Sequence, residues 1–108
     1  METKYNKAYR AVYNLTAHIV FVTKYRKSIL TDELLTELES IFASILNTRD
    51  GELLEFNGEA DHVHLLVSYK PSISVSNLVA NLKATSSKIM WRNHSDYLKT
   101  KYWNKKVL

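Results

Sequence analysis

Asp61-His62-Val63-His64-Leu65-Leu66-Val67 places two histidines two residues apart inside a run of strand-forming side chains. Successive side chains of a strand point to opposite faces. His62 and His64 therefore share one face, while Val63, Leu65 and Val67 share the other. A hydrophobic core rarely needs two imidazoles side by side, whereas neutral imidazole is a common ligand for divalent metals. This short run thus sets both the strand parity and the expected place of the chemistry.

The 108 residues suit a single domain, with residues 1–10, polar and charged, as a loose N-terminal arm. The absence of cysteine excludes disulfides, thiol nucleophiles and zinc–cysteine sites, and points to a cytoplasmic setting. No run approaches the roughly 18 apolar residues of a membrane span, and no signal-peptide core is present at the N-terminus. The net charge is +4, unevenly spread. Thr31 to Asp61 holds nine acids against Arg49, whereas Lys83 to Leu108 holds seven bases against Asp96. Lys24-Tyr25-Arg26-Lys27 forms a second basic cluster. Basic residues interleaved with Tyr97, Tyr102 and Trp103 suit a polyanion with stackable bases, the alternative being a solubilising surface.

Working outward, Val12 to Thr23 is rich in β-branched and aromatic residues and reads as a strand. Its odd positions, Tyr13 through Phe21, form the apolar face, leaving His18, Val20 and Val22 on the other. Leu34, Leu35, Leu38, Ile41, Phe42, Ile45 and Leu46 recur at helical spacing within Thr31–Thr48. Thr31 can cap that helix, Asp32 and Glu33 suit its N-terminal end, and Gly51 lies just past its C-terminal end. Glu52 to Phe56 reads as a strand, Asn57-Gly58 as a tight hairpin turn, and Asp61 to Tyr69 as the returning strand closed by Pro71. Ser72, Ser74 and Ser76 offer caps for a second helix over Val75 to Asn93. Its buried stripe is Val75, Leu78, Val79, Leu82, Ile89 and Met90, and His94 reads as a cation capping its end.

The predicted order β-α-β-β-α is α+β, one strand short of the ferredoxin-like β-α-β-β-α-β pattern. Both helices then cover one face of an antiparallel sheet, and His18, His62 and His64 meet on the other by parity alone. With the final strand missing or incomplete, the first strand is an exposed edge, a pairing liability that a partner chain would cover.

Four phrases carry a family resemblance: Thr16-Ala-His-Ile-Val-Phe-Val-Thr-Lys-Tyr-Arg26, Ala60-Asp-His-Val-His-Leu-Leu-Val67, Leu78-Val-Ala-Asn-Leu-Lys-Ala-Thr-Ser-Ser-Lys88 and Tyr102-Trp103. In this order they resemble the single-tyrosine HUH transposases of small insertion sequences and their relatives associated with repetitive extragenic palindromes. His62, Val63 and His64 fill the histidine–hydrophobic–histidine motif. The resemblance implies metal-dependent cleavage and strand transfer of single-stranded DNA through a 5′-phosphotyrosine, recognition of DNA hairpins, and a homodimer. It further implies a nucleophilic tyrosine on a C-terminal helix that packs against the partner's histidines, with a glutamine one turn later completing the metal site. That helix would lie past Leu108, so no catalytic tyrosine is assigned in this chain, and Tyr97 and Tyr102 precede its place. The reading is of a C-terminally truncated transposase that binds DNA but does not cleave alone. Ala60 stands where relatives often carry proline, a change confined to the turn.

The expected cofactor is Mg²⁺ or Mn²⁺, held by His62 and His64 with Asp61 or Glu59 as a candidate oxygen ligand. Asp61 has the wrong strand parity unless the turn twists it round. His18 reads either as a group supporting the ligands or contacting DNA, or as a hydrogen-bonded sheet histidine. Lys24, Tyr25 and Arg26 just past the first strand, and Lys83, Lys88 and Arg92 on the second helix, are the candidate DNA contacts. For the helix bases the alternative is an ordinary solvated face. The competing function is a non-catalytic ferredoxin-like nucleic-acid-binding module, although the strands lack the aromatic signature of RNA-binding sheets.

Overall fold

The computed structural model describes residues 14–103 and 107–108. The expected arm over residues 1–10, the predicted strand residues Val12 and Tyr13, and the basic tail residues Lys105 and Lys106 lie outside them. Strand β1 (Leu15–Val22) is followed by a short 3-10 turn (Lys24–Arg26) and helix α1 (Asp32–Asn47). Strands β2 (Glu52–Gly58) and β3 (His62–Tyr69) then form a hairpin, and helix α2 (Val75–Leu98) closes the layer. The sheet is antiparallel in the order β1-β3-β2. This is the α+β arrangement the sequence predicts, with β3 in the centre.

Period-two alternation along β3 divides the molecule. Val63, Leu65 and Val67 are fully buried and share one core with Ile19 and Phe21 of β1 and with both helices. From α1 the contributors are Leu34, Leu38, Phe42 and Leu46, one side chain per turn, as the sequence stripe requires. Phe42 ties the layers together, its ring centre 5.6 Å from Phe21 and 6.3 Å from Phe56. Thr31 caps α1 as predicted, accepting a hydrogen bond from the Leu34 amide at 3.1 Å. Among the three serines it is Ser74 that caps α2, accepting from the Asn77 amide at 3.3 Å. Val75 is exposed, because it occupies the first turn of α2 ahead of the buried stripe that begins at Leu78. Leu15 is exposed too, at the start of β1, two same-face positions before the strand reaches the buried core at Ile19.

Two local expectations are corrected. Asn57-Gly58 is not the hairpin turn: both residues continue β2, with Gly58 opposite Val63. The chain reverses at Ala60-Asp61, where the Glu59 amide donates to the His62 carbonyl at 2.8 Å. No residue of that turn has positive φ. Tertiary bonds make it possible: the Ala60 carbonyl accepts from the Leu30 amide and the Asp61 carbonyl from the Thr23 amide, each at 2.9 Å. Local turn preference is thereby overridden. Gly58 has a packing reason instead, since a Cβ there would stand 2.5 Å from a Leu35 methyl. Past α1 the left-handed residue is Asp50 (φ 56°), not Gly51. Gly51 is required by close approach, a Cβ there standing 2.6 Å from the Ser68 carbonyl oxygen.

The second helix also runs beyond Asn93, with non-helical backbone at His94 (φ −135°, ψ 35°). His94 is no end cap; its Nε2 meets the Glu37 carboxylate of α1, which also accepts from Asn93 Nδ2 at 2.9 Å. This pairing of α1 with the bend of α2 carries the helix past the break to Leu98. Partial burial raises the Glu37 carboxyl, but bonds from Asn93 and His94 and the His94 charge outweigh it, so it titrates below its ordinary value of 4.5.

Two predictions follow from this packing. Gly51→Ala should cost about 1–3 kcal/mol in urea unfolding, because a backbone oxygen cannot give way. Gly58→Ala should cost less, since the Leu35 methyl can rotate aside; equal losses would contradict the close approach at Gly51. A carboxyl lowered by folding contributes stability above its unfolded value and loses it as pH falls through its folded value. The unfolding midpoint should therefore drop as pH falls from about 4.5, and Glu37→Gln should flatten that drop.

Candidate metal centre and the basic turn beside it

Because the β3 valines and leucine face the helices, His62 and His64 stand on the open sheet face. Their ring centres are 5.0 Å apart with planes at 82°. His18, brought in from β1 as parity predicts, lies 5.5 Å from His64. It sits opposite Leu66, diagonal to His64, whereas Val20 and Val22 are the direct partners of His64 and His62. On the other side Asn57 pairs with His64. This neighbour was hidden in the sequence because Asn57-Gly58 carries so strong a turn signal.

A ligating nitrogen lies roughly 2.0–2.1 Å from its metal, which puts the ring centre about 3 Å away. Two rings 5.0 Å apart can thus flank one small cation, and neutral imidazoles are suitable donors. The pair fits a divalent metal. Among the described residues, no three His, Cys, Asp or Glu side chains gather closely enough to hold a cation. His18 extends the row without joining a three-sided site, and neither Asp61 nor Glu59 completes one.

Asp61 is nonetheless turned toward the pair. Its Oδ1 is 2.7 Å from His62 Nδ1, and its Oδ2 is 3.5 Å from the Arg26 guanidinium. The His62 bond, opposed by partial desolvation and aided by Arg26, holds this carboxyl below its ordinary value. Arg26 reaches it from a strained turn in which Tyr25 (φ 62°) and Arg26 (φ 53°) are both left-handed without being glycine. The turn is pinned at several points. Thr23 Oγ1 donates to the Lys27 carbonyl at 2.7 Å, and the Tyr102 hydroxyl donates to the Lys24 carbonyl at 3.0 Å. The Lys24 amide donates to the Val107 carbonyl at 2.7 Å, and Lys27 Nζ to the Lys101 carbonyl. Tyr25 and Arg26 remain exposed, with Lys24 Nζ 5.5 Å from the Tyr25 ring centre. The fold therefore brings the Lys24-Tyr25-Arg26 cluster next to the histidines.

The other basic group is placed elsewhere. Lys83, Lys88 and Arg92 are exposed on α2, in the helix layer behind the sheet. Lys88 and Arg92 line an open hollow of about 430 Å³ with Ala84, Trp91 and Ser95, whereas Lys83 does not. Met90 is core and Trp91 half-buried, its indole N–H sequestered without a partner among the described residues, while Trp103 is almost fully exposed. A hollow of about 240 Å³ between the helices contains Glu33 and His94. Its place in the helix layer separates it from the open face that carries His62 and His64. The Tyr97 hydroxyl donates to the Ile29 carbonyl at 2.7 Å, so both late tyrosines serve as struts. Burial pushes the Tyr102 phenol up, the reverse of nucleophile activation.

Known proteins share this sequence and this architecture. The family model for IS200-like transposases matches residues 11–107. The transposase of insertion sequence IS200 from Salmonella typhimurium LT2 is 34% identical over 93 residues, 86% of this chain and 60% of the relative. The ISDra2 transposase of Deinococcus radiodurans is 32% identical over 103 residues, 95% of this chain and 71% of the relative. A crystal structure of a candidate transposase from Deinococcus radiodurans R1 superposes with a TM-score of 0.79 at 30% identity. That superposition covers 88% of this chain and 72% of the crystallised one. The chain spans 60% of the length of the Salmonella protein it matches. No described helix is long and apolar enough to cross a membrane.

Proposed function

This chain belongs to the IS200-like transposase family, and from that premise we propose that it acts on single-stranded DNA carrying hairpins, in the cytoplasm, as a homodimer using a divalent metal. The observation that carries the reading is the His62–His64 pair, two imidazoles 5.0 Å apart on a sheet face that neither described helix covers. A Mg²⁺ or Mn²⁺ ion bound there would act as a Lewis acid on the scissile phosphate and align its leaving oxygen. His62 and His64 would hold it. Lys24, Tyr25 and Arg26, on the turn joined to Asp61, with Tyr25 and Arg26 exposed and Lys24 half-buried, would grip DNA backbone beside the pair. Lys88 and Arg92 would take stem phosphates from the helix layer, with Lys83 outside their hollow. His18, at the end of the row, would contact DNA or support His64.

A homodimer is supported by β1, an edge strand among the described residues that leaves Val20 and Val22 exposed on the histidine face. We also propose that the 108-residue chain binds hairpins without cleaving them. Support comes from Tyr97 and Tyr102, whose hydroxyls are committed to backbone carbonyls.

Calorimetric titration should detect Mn²⁺ binding by the wild-type chain and its loss in His64→Ala. Persistent hairpin binding with no metal uptake would instead favour the non-catalytic module. Hairpin affinity should fall steeply with salt, each phosphate contact adding about −0.9 to the logarithmic slope. Lys88→Ala with Arg92→Ala should make that slope shallower by about two. After incubation with hairpin DNA and Mn²⁺, mass spectrometry should find no tyrosine–DNA adduct; an adduct on Tyr97 or Tyr102 would overturn the non-cleaving reading.

A further inference from the structure

We propose that Asp61 is a positioning residue for His62 and not a metal ligand: through Nδ1 it turns the ring so that Nε2 faces the cation, while Arg26 steadies the carboxylate from its other oxygen. The proposal rests on the metal-binding reading of His62 and His64 and adds the device that orients one of them.

An ionised carboxylate can only accept hydrogen bonds. With Asp61 Oδ1 2.7 Å from His62 Nδ1, the neutral ring carries its proton on Nδ1, leaving the Nε2 lone pair as the donor to a metal. A metal-binding histidine commonly needs such an acceptor on its far nitrogen to set both tautomer and ring orientation. The second oxygen, Oδ2, is 3.5 Å from the Arg26 guanidinium. To ligate an ion together with the two histidines, Asp61 would have to leave this position, because among the described residues the three do not gather closely enough to hold one.

The backbone makes that departure harder. The Asp61 carbonyl accepts from the Thr23 amide at 2.9 Å, and the neighbouring Ala60 carbonyl accepts from the Leu30 amide. Thr23 is itself buried. The turn bearing Asp61 is thus fastened to the segment bearing Arg26, and carboxylate and guanidinium are held as a set. This also gives a reason for the left-handed backbone at Tyr25 and Arg26. Strained residues persist where the surrounding structure over-determines them, often at functional sites. Here the strain directs Arg26 back to Asp61 while Tyr25 stays exposed.

Asp61→Asn and Asp61→Ala in the 108-residue chain separate orientation from ligation. The Asn side chain keeps an oxygen that can accept from Nδ1–H but loses the charge a direct oxygen ligand would supply. Ring ¹⁵N NMR of the metal-free protein, about two pH units above the ordinary imidazole value, should show His62 protonated on Nδ1 in wild type and in Asp61→Asn. Asp61→Ala should shift the ring toward the other tautomer. Mn²⁺ affinity by calorimetry should stay within about threefold in Asp61→Asn and fall about 10–100-fold in Asp61→Ala. A wild-type His62 protonated on Nε2 would overturn the proposal. So would an Asp61→Asn variant that keeps the wild-type tautomer yet loses Mn²⁺ affinity tenfold or more, the mark of a carboxylate ligand. If Asp61→Ala does not fold, Asp61→Asn alone still decides between the two. A wild-type chain that takes up no Mn²⁺ would overturn the metal site itself, and with it this role for Asp61, whereas the ring NMR reads the Asp61–His62 bond independently.

Discussion

The burial of Val63, Leu65 and Val67 beneath two helices governs the rest of this structure. Each is fully removed from water, and at roughly 25 cal/mol per Å² of apolar surface, burying a valine or leucine side chain contributes about 1.5–3 kcal/mol. A one-residue slip of β3 would expose all three and bury both imidazoles. Register is therefore enforced by the core, and the core in turn presents His62 and His64 outward. The open face is set by hydrophobic burial on the opposite side of the same strand.

The second constraint is the fastening between the β2–β3 turn and the segment joining β1 to α1. Backbone bonds from Thr23 and Leu30 to the Asp61 and Ala60 carbonyls close the hairpin where local preference alone would have closed it earlier. The same bonds bring Arg26 to Asp61 and Asp61 to His62. A basic loop whose Arg26 precedes Asp61 by 35 residues in sequence thereby becomes the rim of the histidine site. Tyr102, the Lys101 carbonyl and Val107 hold that loop from the far side. The described residues after α2 thus support the site by holding this loop in place.

Sequence patterns were most legible where many residues repeat one message. The α1 stripe and the β3 alternation each involve several apolar side chains, so no single neighbour can reverse them. The strand parity of His18 followed from the same regularity. Single-residue signals fared worse. Asn57-Gly58 has the composition of a tight turn but remains in β2, because Gly58 is needed where the Leu35 side chain lies over the strand. Gly51 suggested a left-handed helix end, yet Asp50 takes that conformation and Gly51 makes room for the Ser68 carbonyl. His94 looked like a terminal cation but sits at a bend bonded to Glu37, a partner on another helix. In each case the deciding neighbour is remote in the chain.

By itself the sequence determined the α+β order of elements, the face on which the three histidines stand, the basic character of residues 24–26 and the family to which the chain belongs. These follow from periodicity, parity and ordered motifs, which are properties of the chain alone. Only the tertiary structure decided where the hairpin turns, which way Asp61 points, and that Arg26 rather than a lysine of α2 lies beside the histidines. It also separated the α2 bases from the histidine face. Those outcomes depend on contacts between segments tens of residues apart, where backbone bonds and close packing outweigh local preference.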